Sequence, residues 1–307
     1  MTLTIGLGLS FIAIWLIALF SNVDSLVSML LVNGFLQIVF FIFVACIPYL
    51  RTKRMSYVDI AWPFGVALIG VMILLFGEGA TERKFTVGVV YLFIGLRMGI
   101  GALTMAKTTG VIVKTEFPRY QYRRMLIENT GTKHVDFHML TDVLLQGLAN
   151  ISVLALPGFL IATNGSPSLL SLEIAGLFLW GLGYVVESVA DGQKMLFIAK
   201  NTDNRQGVCN IGLWRYSRHP NYFGEWLVWS GLVVAAVPSW LALQSIETSL
   251  VWITLGLGTL CASVMMYTTL VYLTGAVPAE YYSLQKRPQY SEYQKTTNMF
   301  FPGPLKQ

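Results

Sequence analysis

Charged residues are scarce in this 307-residue chain: Asp, Glu, Lys and Arg make up 12% of it, about half the share usual in globular proteins. Histidine and cysteine are few, with three of each. Cys46, Cys209 and Cys261 are far apart and form no C-x-x-C pair, which argues against a disulfide framework and a zinc site. His134 and His138 lie four residues apart, but no third metal ligand is nearby, so we predict no metal site.

The common nucleotide-binding signatures are also missing. No G-x-G-x-x-G follows a predicted strand, and no G-x-x-x-x-G-K-[ST] occurs. The pairs Gly181/Gly183 and Gly256/Gly258 lie inside apolar runs, where small residues are typical of close helix packing. The sequence therefore argues against a Rossmann domain, and any nucleotide would have to bind within a helical bundle.

Apolar residues make up 55% of the chain and give it a mean hydropathy of +0.61. They recur in eight runs, most of them long enough to cross about 30 Å of hydrocarbon as a helix. The runs are residues 3–20, 27–50, 58–76, 86–106, 143–162, 172–190, 222–237 and 250–273. We therefore predict an all-α, polytopic transmembrane helical bundle with eight spans, or seven if one run lies in the interface. It would be a single membrane-embedded domain, 1–307, in which residues 1–50 form peripheral spans.

Lysine and arginine predict the orientation of the bundle. All of these residues except Arg83, Lys84 and Arg97 follow the second, fourth, sixth and eighth runs, on one side of the membrane. The positive-inside rule assigns that side, with both termini, to the cytosol. The basic residues of the longest loop, 107–142, are expected to lie near anionic lipid. The positive charge therefore reflects topology, and we predict no nucleic-acid partner.

The most informative stretch is GLWRYSRHPNYFGEW, at residues 212–226. Pro220 suits the first turn of a helix. Asn221 and Glu225 are four residues apart and would share a helical face, with Glu225 about one turn inside the membrane. An ionisable residue at that depth indicates function. The alternative is an interfacial anchor, in which the Arg, His and aromatic side chains of this stretch lie at the headgroups.

Other ionisable residues lie within or at the edges of the predicted spans. They are Asp59, Arg97, Glu187 and Asp191, and the last two share a helical face. Together with Glu225 they predict a polar cavity that opens to the cytosol. Basic residues suited to phosphate binding flank this cavity on the same side, namely Lys194, Lys200, Arg205, Arg215 and Arg218.

The stretch at 212–226 resembles the signature of the steroid 5-alpha-reductase superfamily. More narrowly, it is similar to the bacterial and plant branch described as a domain of unknown function. The resemblance covers residues 56–302 and implies a membrane-embedded helical bundle that holds NADPH, with its phosphates toward the cytosolic loops. A shorter Arg-His-Pro-x-Tyr core is shared with the isoprenylcysteine carboxyl methyltransferases.

The resemblance also implies roles for individual residues. Asn221 and Glu225 match positions near the nicotinamide, and Asp191 matches the acidic residue that ends the preceding long span. Arg97 resembles an arginine that helps to hold the cofactor, and Glu280 falls at a polar cofactor contact. The other expected cofactor-site residues surround these positions, namely Glu187, Lys194, Arg215, Arg218, His219 and Tyr222.

The function implied is NADPH-dependent reduction of a carbon–carbon double bond conjugated to a carbonyl. The substrate would be lipophilic and steroid- or lipid-like, and would enter from the bilayer. Asp59 is the expected proton donor, because an apolar environment favours a protonated carboxyl group, and Tyr91 is a second candidate. The Gln-Glu pair with which steroid 5-alpha-reductases hold a ketone is missing, which leaves the substrate open. We predict no obligate protein partner.

Two other functions remain open. The shared Arg-His-Pro-x-Tyr core is compatible with a membrane methyltransferase that uses S-adenosylmethionine. The missing Gln-Glu pair is compatible with a non-catalytic protein that binds lipid or sterol. Each would be an integral, multi-pass protein of a bacterial inner membrane or of the endoplasmic reticulum, with its site facing the cytosol.

Overall fold

The structure is a computed structural model that describes residues 2–110, 112–201 and 207–305. Arg205, one of the expected phosphate ligands, lies outside these residues. The described elements are helical, and an isolated β-bridge pairs Ser217 with Asn298. The all-α prediction is therefore confirmed.

The first helices are α1 (Thr2–Ala18), α2 (Asp24–Phe41), α3 (Ile47–Thr52), α4 (Val58–Phe76), α5 (Thr81–Thr109), α6 (Pro118–Glu128) and α7 (Val135–Ile151). They are followed by α8 (Leu156–Thr163), α9 (Ser171–Lys200), α10 (Pro220–Ala242), α11 (Ser249–Thr268), α12 (Ala276–Lys286) and α13 (Tyr290–Thr296). Short π-helical turns continue α2 and α11, at Ile42–Cys46 and Thr269–Leu273. Pro220 begins α10, as its place in the sequence predicts.

Seven helical stretches in the described residues are long and apolar enough to cross a membrane. They are Asp24–Thr52, Met55–Phe76, Thr81–Thr109, Val135–Thr163, Ser171–Lys200, Pro220–Ala242 and Ser249–Lys286. The first predicted run forms the shorter helix α1. The chain is thus a multi-pass, all-helical membrane protein, and the position of both termini in the cytosol stays a prediction.

Contacts divide the chain into two compact units, and the single membrane-embedded domain stays a prediction. Unit 1 comprises Met1–Ile174 and Val233–Ala262, and unit 2 comprises Ala175–Leu232 and Ser263–Gln307. The sequence does not signal this division, because no linker-like composition separates the two units.

Small residues bring α4 and α5 together in unit 1. A Cβ atom added at Gly70 would lie 2.7 Å from the carbonyl oxygen of Gly88, so the two backbones are in direct contact there. Gly95, further along α5, packs in the same way against the backbone of Pro63 and Ala67. These contacts fix α4, which carries Asp59.

Three arginines attach α6 to α4 and α7 within unit 1. Each pairs with a carboxylate: Arg119 with Asp59 (2.6 Å), Arg123 with Asp142 (2.6 Å) and Arg124 with Asp136 (2.9 Å). Protein carboxylates therefore hold these three arginines, and the expectation that the basic residues of this loop lie near anionic lipid stays a prediction. Pro118 occupies the first turn of α6, where proline is well tolerated.

In unit 2, helices α9 and α10 cross at close range. A Cβ atom on Gly183 would lie 2.7 Å from the carbonyl oxygen of Gly224, and the reverse contact is equally short. The predicted packing role of Gly183 is confirmed, whereas Gly181 has nothing within 4 Å of its Cβ position. This crossing determines which side chains of the two helices meet one turn further on.

The chain after α13 packs along the loop that precedes α10. The backbone N–H of Arg218 donates to the carbonyl oxygen of Asn298 (2.8 Å), and that of Gly303 donates to Tyr216 (3.1 Å). The Ser217 hydroxyl group donates to the carbonyl oxygen of Phe300 (2.8 Å). The motif loop is therefore built into unit 2 by residues near the C-terminus.

Candidate functional site

Unit 2 contains a cavity of about 540 Å³, a volume within the range usual for small-molecule sites. Its walls come from α9, the loop that follows it, the start of α10, α12 and α13. The lining residues used below are Asp191, Lys194, Trp214, Asn221, Tyr222 and Arg287. All of the described lining residues belong to unit 2.

One face of each long wall helix lines the cavity. On α9 this face is formed by Asp191, Lys194 and Ile198, at the three- and four-residue spacing of a single helical side. On α12 it is formed by Ala279 and Ser283, at the same spacing. Arg287 continues that spacing directly after the last residue of α12.

Asn221 and Asp191 meet across the α9–α10 crossing. The Asn221 amide nitrogen donates to Asp191 Oδ1 over 3.0 Å. This bond fixes the amide orientation, so that Asn221 Oδ1 is the acceptor, and that oxygen is buried without a hydrogen-bond partner among the residues that the structure describes. Such an atom is costly unless a ligand or water donates to it.

Two cations besides Arg218 lie on the cavity wall. The Lys194 ammonium group lies over the Trp214 ring, 4.1 Å from its centroid, in a cation–π contact. Trp214 is fixed because its indole N–H donates to the carbonyl oxygen of Ala190 (2.8 Å). Arg287, the second cation, contacts the Ser283 hydroxyl group (3.3 Å).

The turn before Trp214 requires glycine. Gly212 has a φ of +56°, in the left-handed region, and the side-chain amide of Gln193 occupies the space that a Cβ atom would fill. Gln193 Oε1 also accepts the backbone N–H of Leu213 (2.9 Å). The start of the motif is thus folded onto α9, next to Lys194.

Arg218 lines the cavity but is held by a buried carboxylate. Its Nε and Nη2 atoms contact the two oxygens of Glu280, at 2.7 and 3.1 Å. Its Nη1 donates to the carbonyl oxygens of Gln294 (3.0 Å) and Thr297. The guanidinium group is therefore engaged on every side, and its role is to join the motif loop to the segment around α13.

Glu280, expected as a cofactor contact, is likewise occupied by protein groups. Besides Arg218, it accepts from the Gln294 amide (2.6 Å) and lies 3.1 Å from His219 Nε2. The His219 ring stacks on Tyr222, with 5.3 Å between centroids and 1° between planes. Burial lowers the pKa of His219, although Glu280 opposes the change. The imidazole is thus a neutral donor to Glu280.

The other expected cofactor residues lie elsewhere in the structure. Arg215 is exposed, and Glu187 is buried beside Gly224 at the helix crossing. Arg215, Glu187 and Glu225 are not among the described residues that line the cavity. Arg97 lies on α5, which belongs to unit 1.

Asp59 and Tyr91, the two candidate proton donors, also belong to unit 1. Asp59 Oδ1 accepts from Arg119 (2.6 Å) and from the Tyr120 hydroxyl group (3.2 Å), whereas Oδ2 is buried and has no hydrogen-bond partner in the described part of the chain. The surroundings of Asp59 are therefore more polar than the sequence alone suggests. The Tyr91 hydroxyl group donates to the carbonyl oxygen of Leu154 (2.7 Å), which favours a packing role.

Several cavity residues are not among those that the sequence predicts, including Trp214, Arg287 and Cys209. The spacing of Arg287 from Ser283, which continues one face of α12, is a signal that could have identified it. No signal in the sequence assigns the Cys209 thiol to a cavity. Burial raises the pKa of the Cys209 thiol, with the nearby charge of Lys194 opposing that rise.

These features define a class: an all-helical, multi-pass membrane protein with a cavity lined by cationic, amide and aromatic side chains. A family model described as "Protein of unknown function (DUF1295)" matches residues 45–297. The chain therefore belongs to that family. No curated protein and no solved structure matches the chain.

Proposed function

We propose that this protein is a membrane-embedded reductase. In this proposal it uses NADPH to reduce a carbon–carbon double bond conjugated to a carbonyl in a lipophilic substrate. The observation that carries the proposal is the unit 2 cavity, where two cations, an unpartnered amide oxygen and aromatic faces line one space. The resemblance of residues 212–226 to the steroid 5-alpha-reductase superfamily supports the same reading.

The cavity residues fit the chemistry of a dinucleotide. Lys194 and Arg287 are suited to phosphate groups, since neither forms a salt bridge with a carboxylate among the described contacts. Asn221 Oδ1 needs a hydrogen-bond donor, which a carboxamide supplies. Trp214 and Tyr222 offer planar faces for stacking. Arg218 takes no direct part, because Glu280 neutralises it.

When bound, NADPH would supply a hydride to the substrate. The chain's own residues bind and orient: Lys194 and Arg287 hold the charged end, and Asn221 holds the amide end in a fixed rotation. Asp191 keeps the Asn221 amide in place through their 3.0 Å hydrogen bond. The His219 and Tyr222 rings stack on each other, which stiffens the part of the cavity wall that they form.

Reduction of a conjugated double bond also needs a proton and a donor that stabilises the developing enolate. We propose Asp59 for this role. Arg119 and Tyr120 both hold Oδ1, so a proton on the carboxyl group would reside on Oδ2, the oxygen without a partner. Tyr91 is a weaker candidate, because Leu154 already accepts its hydroxyl proton.

A methyltransferase that uses S-adenosylmethionine is the second candidate. The Trp214 ring already holds one cation, Lys194, and a sulfonium group would also suit an aromatic face beside the Asp191 carboxylate. The longer Asn-Tyr-Phe-Gly-Glu continuation of the motif favours the reductase.

The identity of the bound cofactor distinguishes the reductase from the methyltransferase. The purified protein is incubated with NADPH or with S-adenosylmethionine, and thermal unfolding is recorded in detergent. The reductase proposal predicts a higher Tm with NADPH, and NADPH retained through purification would support it further. A rise with S-adenosylmethionine alone would falsify the proposal.

A further inference from the structure

Lys194 and Arg287 line the same cavity but lie at different levels relative to the motif. Lys194 follows Asp191 by three residues on α9, which corresponds to about 4.5 Å along the helix axis. Asp191 Oδ1 accepts the Asn221 amide (3.0 Å). Lys194 therefore lies about one helical turn from the point at which α9 contacts the motif.

Arg287 lies further from the motif, on a different wall. The wall helix α12 contacts the motif at Glu280, which is 3.1 Å from His219 Nε2. Arg287 follows Glu280 by seven residues, which corresponds to about 10 Å along the axis of α12. Arg287 therefore lies about two helical turns from the point at which α12 contacts the motif.

The covalent structure of NADPH places its two anionic groups in a fixed order. One ribose separates the nicotinamide from the pyrophosphate, whereas the 2′-phosphate is attached to the second ribose, beyond the pyrophosphate. With the carboxamide at Asn221, the pyrophosphate is the nearer anionic group and the 2′-phosphate is the more distant one. The levels of Lys194 and Arg287 match this order.

Arg287 and Ser283 form a pair of hydrogen-bond donors on the cavity wall. Arg287 Nη1 donates to Ser283 Oγ (3.3 Å), and both residues line the cavity. Because the Ser283 hydroxyl group accepts this bond, its own proton can be donated to a ligand. The planar guanidinium group suits a phosphate, which it can bind through two N–H groups at once.

Asp191 is the one acidic residue among the described residues that line the cavity. Its position is at the Asn221 end, where it accepts the Asn221 amide. In dinucleotide sites of other folds, an acidic side chain binds the ribose 2′-hydroxyl group of NADH, whereas an arginine accommodates the 2′-phosphate of NADPH. Of these two arrangements, the described cavity wall has the arginine.

We propose that Arg287 and Ser283 bind the 2′-phosphate and thereby select NADPH over NADH, whereas Lys194 binds the pyrophosphate that the two cofactors share. This inference rests on the proposed function, because it assigns residues to parts of the cofactor named there. It goes further in making Arg287 a determinant of specificity and Lys194 a general anion contact.

The test is the affinity of the full chain for each cofactor, measured by titration in detergent for the wild type, Arg287→Gln, Lys194→Met and the exposed control Lys286→Gln. Arg287→Gln should weaken NADPH binding by about 10- to 100-fold, the loss of one charge-assisted contact, and leave NADH binding unchanged. Lys194→Met should weaken the binding of both cofactors by the same factor. Lys286→Gln should bind both like the wild type.

Equal losses of NADPH and NADH binding in Arg287→Gln, or no loss of either, would overturn the assignment of Arg287. A wild type that binds the two cofactors equally well would also overturn it, while leaving the proposed reductase intact. A wild type that binds neither cofactor would instead contradict the proposed function, and this inference with it. The failure of the inference is thus distinct from the failure of the function.

Thermal unfolding with two fragments of the cofactor tests the same residues without the nicotinamide. Adenosine 2′,5′-bisphosphate carries the 2′-phosphate, and adenosine 5′-monophosphate lacks it. The bisphosphate should raise the Tm of the wild type and of Lys286→Gln more than the monophosphate does, and Arg287→Gln should lose this difference. Equal Tm changes with the two fragments in the wild type, whether large or absent, would contradict the proposal, as would a difference that persists in Arg287→Gln.

Discussion

Arg218 and Glu280 form a buried, two-point ion pair within unit 2, with 2.7 Å between Nε and Oε1 and 3.1 Å between Nη2 and Oε2. Both side chains are about 6% exposed. The pair joins the motif loop to α12, and the same arginine reaches the carbonyl oxygens of Gln294 and Thr297. The most prominent arginine of the motif thus shapes the cavity wall, which leaves Lys194 and Arg287 as the cations for a ligand.

Glu280→Gln is expected to destabilise the protein. It leaves the Arg218 charge buried without a counter-charge, which costs about 3–5 kcal/mol in comparable pairs. The Tm in detergent should fall well below that of the wild type. Glu292→Gln is the matched control, because Glu292 is exposed and pairs with the exposed Lys295, so its Tm should change little. Equal Tm values for the two variants would contradict the role given to Glu280.

Acid is expected to lower stability through His219. Burial lowers the pKa of His219 in the folded protein, so below about pH 6.5 the unfolded chain binds a proton that the folded chain does not. The free energy of unfolding should therefore be highest above that pH and decrease as the pH falls through it. His219→Gln removes this contribution. The Tm is measured from pH 8 to pH 5, roughly the range in which histidine titrates. The Tm should change less with pH in His219→Gln than in the wild type. The same pH dependence in both proteins would contradict this role of His219.

Cys209 is expected to report on the cavity. It lines the wall and is 4% exposed, and burial raises the pKa of its thiol. The thiolate is the reactive form, so a variant that keeps only this cysteine (Cys46→Ser, Cys261→Ser) should react slowly with a maleimide. NADPH should slow the reaction further. A rate that NADPH leaves unchanged would argue against binding beside Cys209.

Asp59→Asn tests the proton donor. The amide keeps the size of the side chain but cannot deliver a proton, so turnover should fall by about 100-fold or more while NADPH affinity changes little. Glu116→Gln serves as a control in the same unit, because Glu116 accepts backbone N–H groups of Met55 and Ser56 rather than holding Arg119. A large loss of NADPH binding in Asp59→Asn would remove Asp59 from the acid role.

Local signals predicted the helices well. The start of α10 at Pro220 and the packing of Gly183 both follow from short-range rules that the sequence shows directly. The run 143–162, in contrast, is divided between α7 and α8, because the chain leaves the helical conformation at Ser152 (φ −115°, ψ −96°). Pro157, in the first turn of α8, is the signal in the sequence that a new helix begins there.

Contacts between residues that are distant in sequence could not be predicted. Arg218 and Glu280 are 62 residues apart, and nothing in either stretch shows that one neutralises the other. Arg119 pairs with Asp59 across 60 residues in the same way. A sequence reveals which residues are polar at membrane depth, but packing decides whether a charge meets a ligand or a protein group.

The central claim is that the unit 2 cavity binds NADPH through Lys194 and Arg287. NADPH affinity is measured by titration for the wild type, Lys194→Met and Arg287→Gln. The controls are Lys200→Met and Lys286→Gln, at exposed lysines that are not among the described residues lining the cavity, although the sequence alone places Lys200 with the phosphate-binding residues. We predict that each cavity variant weakens NADPH binding by about 10- to 100-fold, the loss of one charge-assisted contact, while both controls bind like the wild type. Equal affinities in all five proteins, or no NADPH binding by the wild type, would contradict the claim.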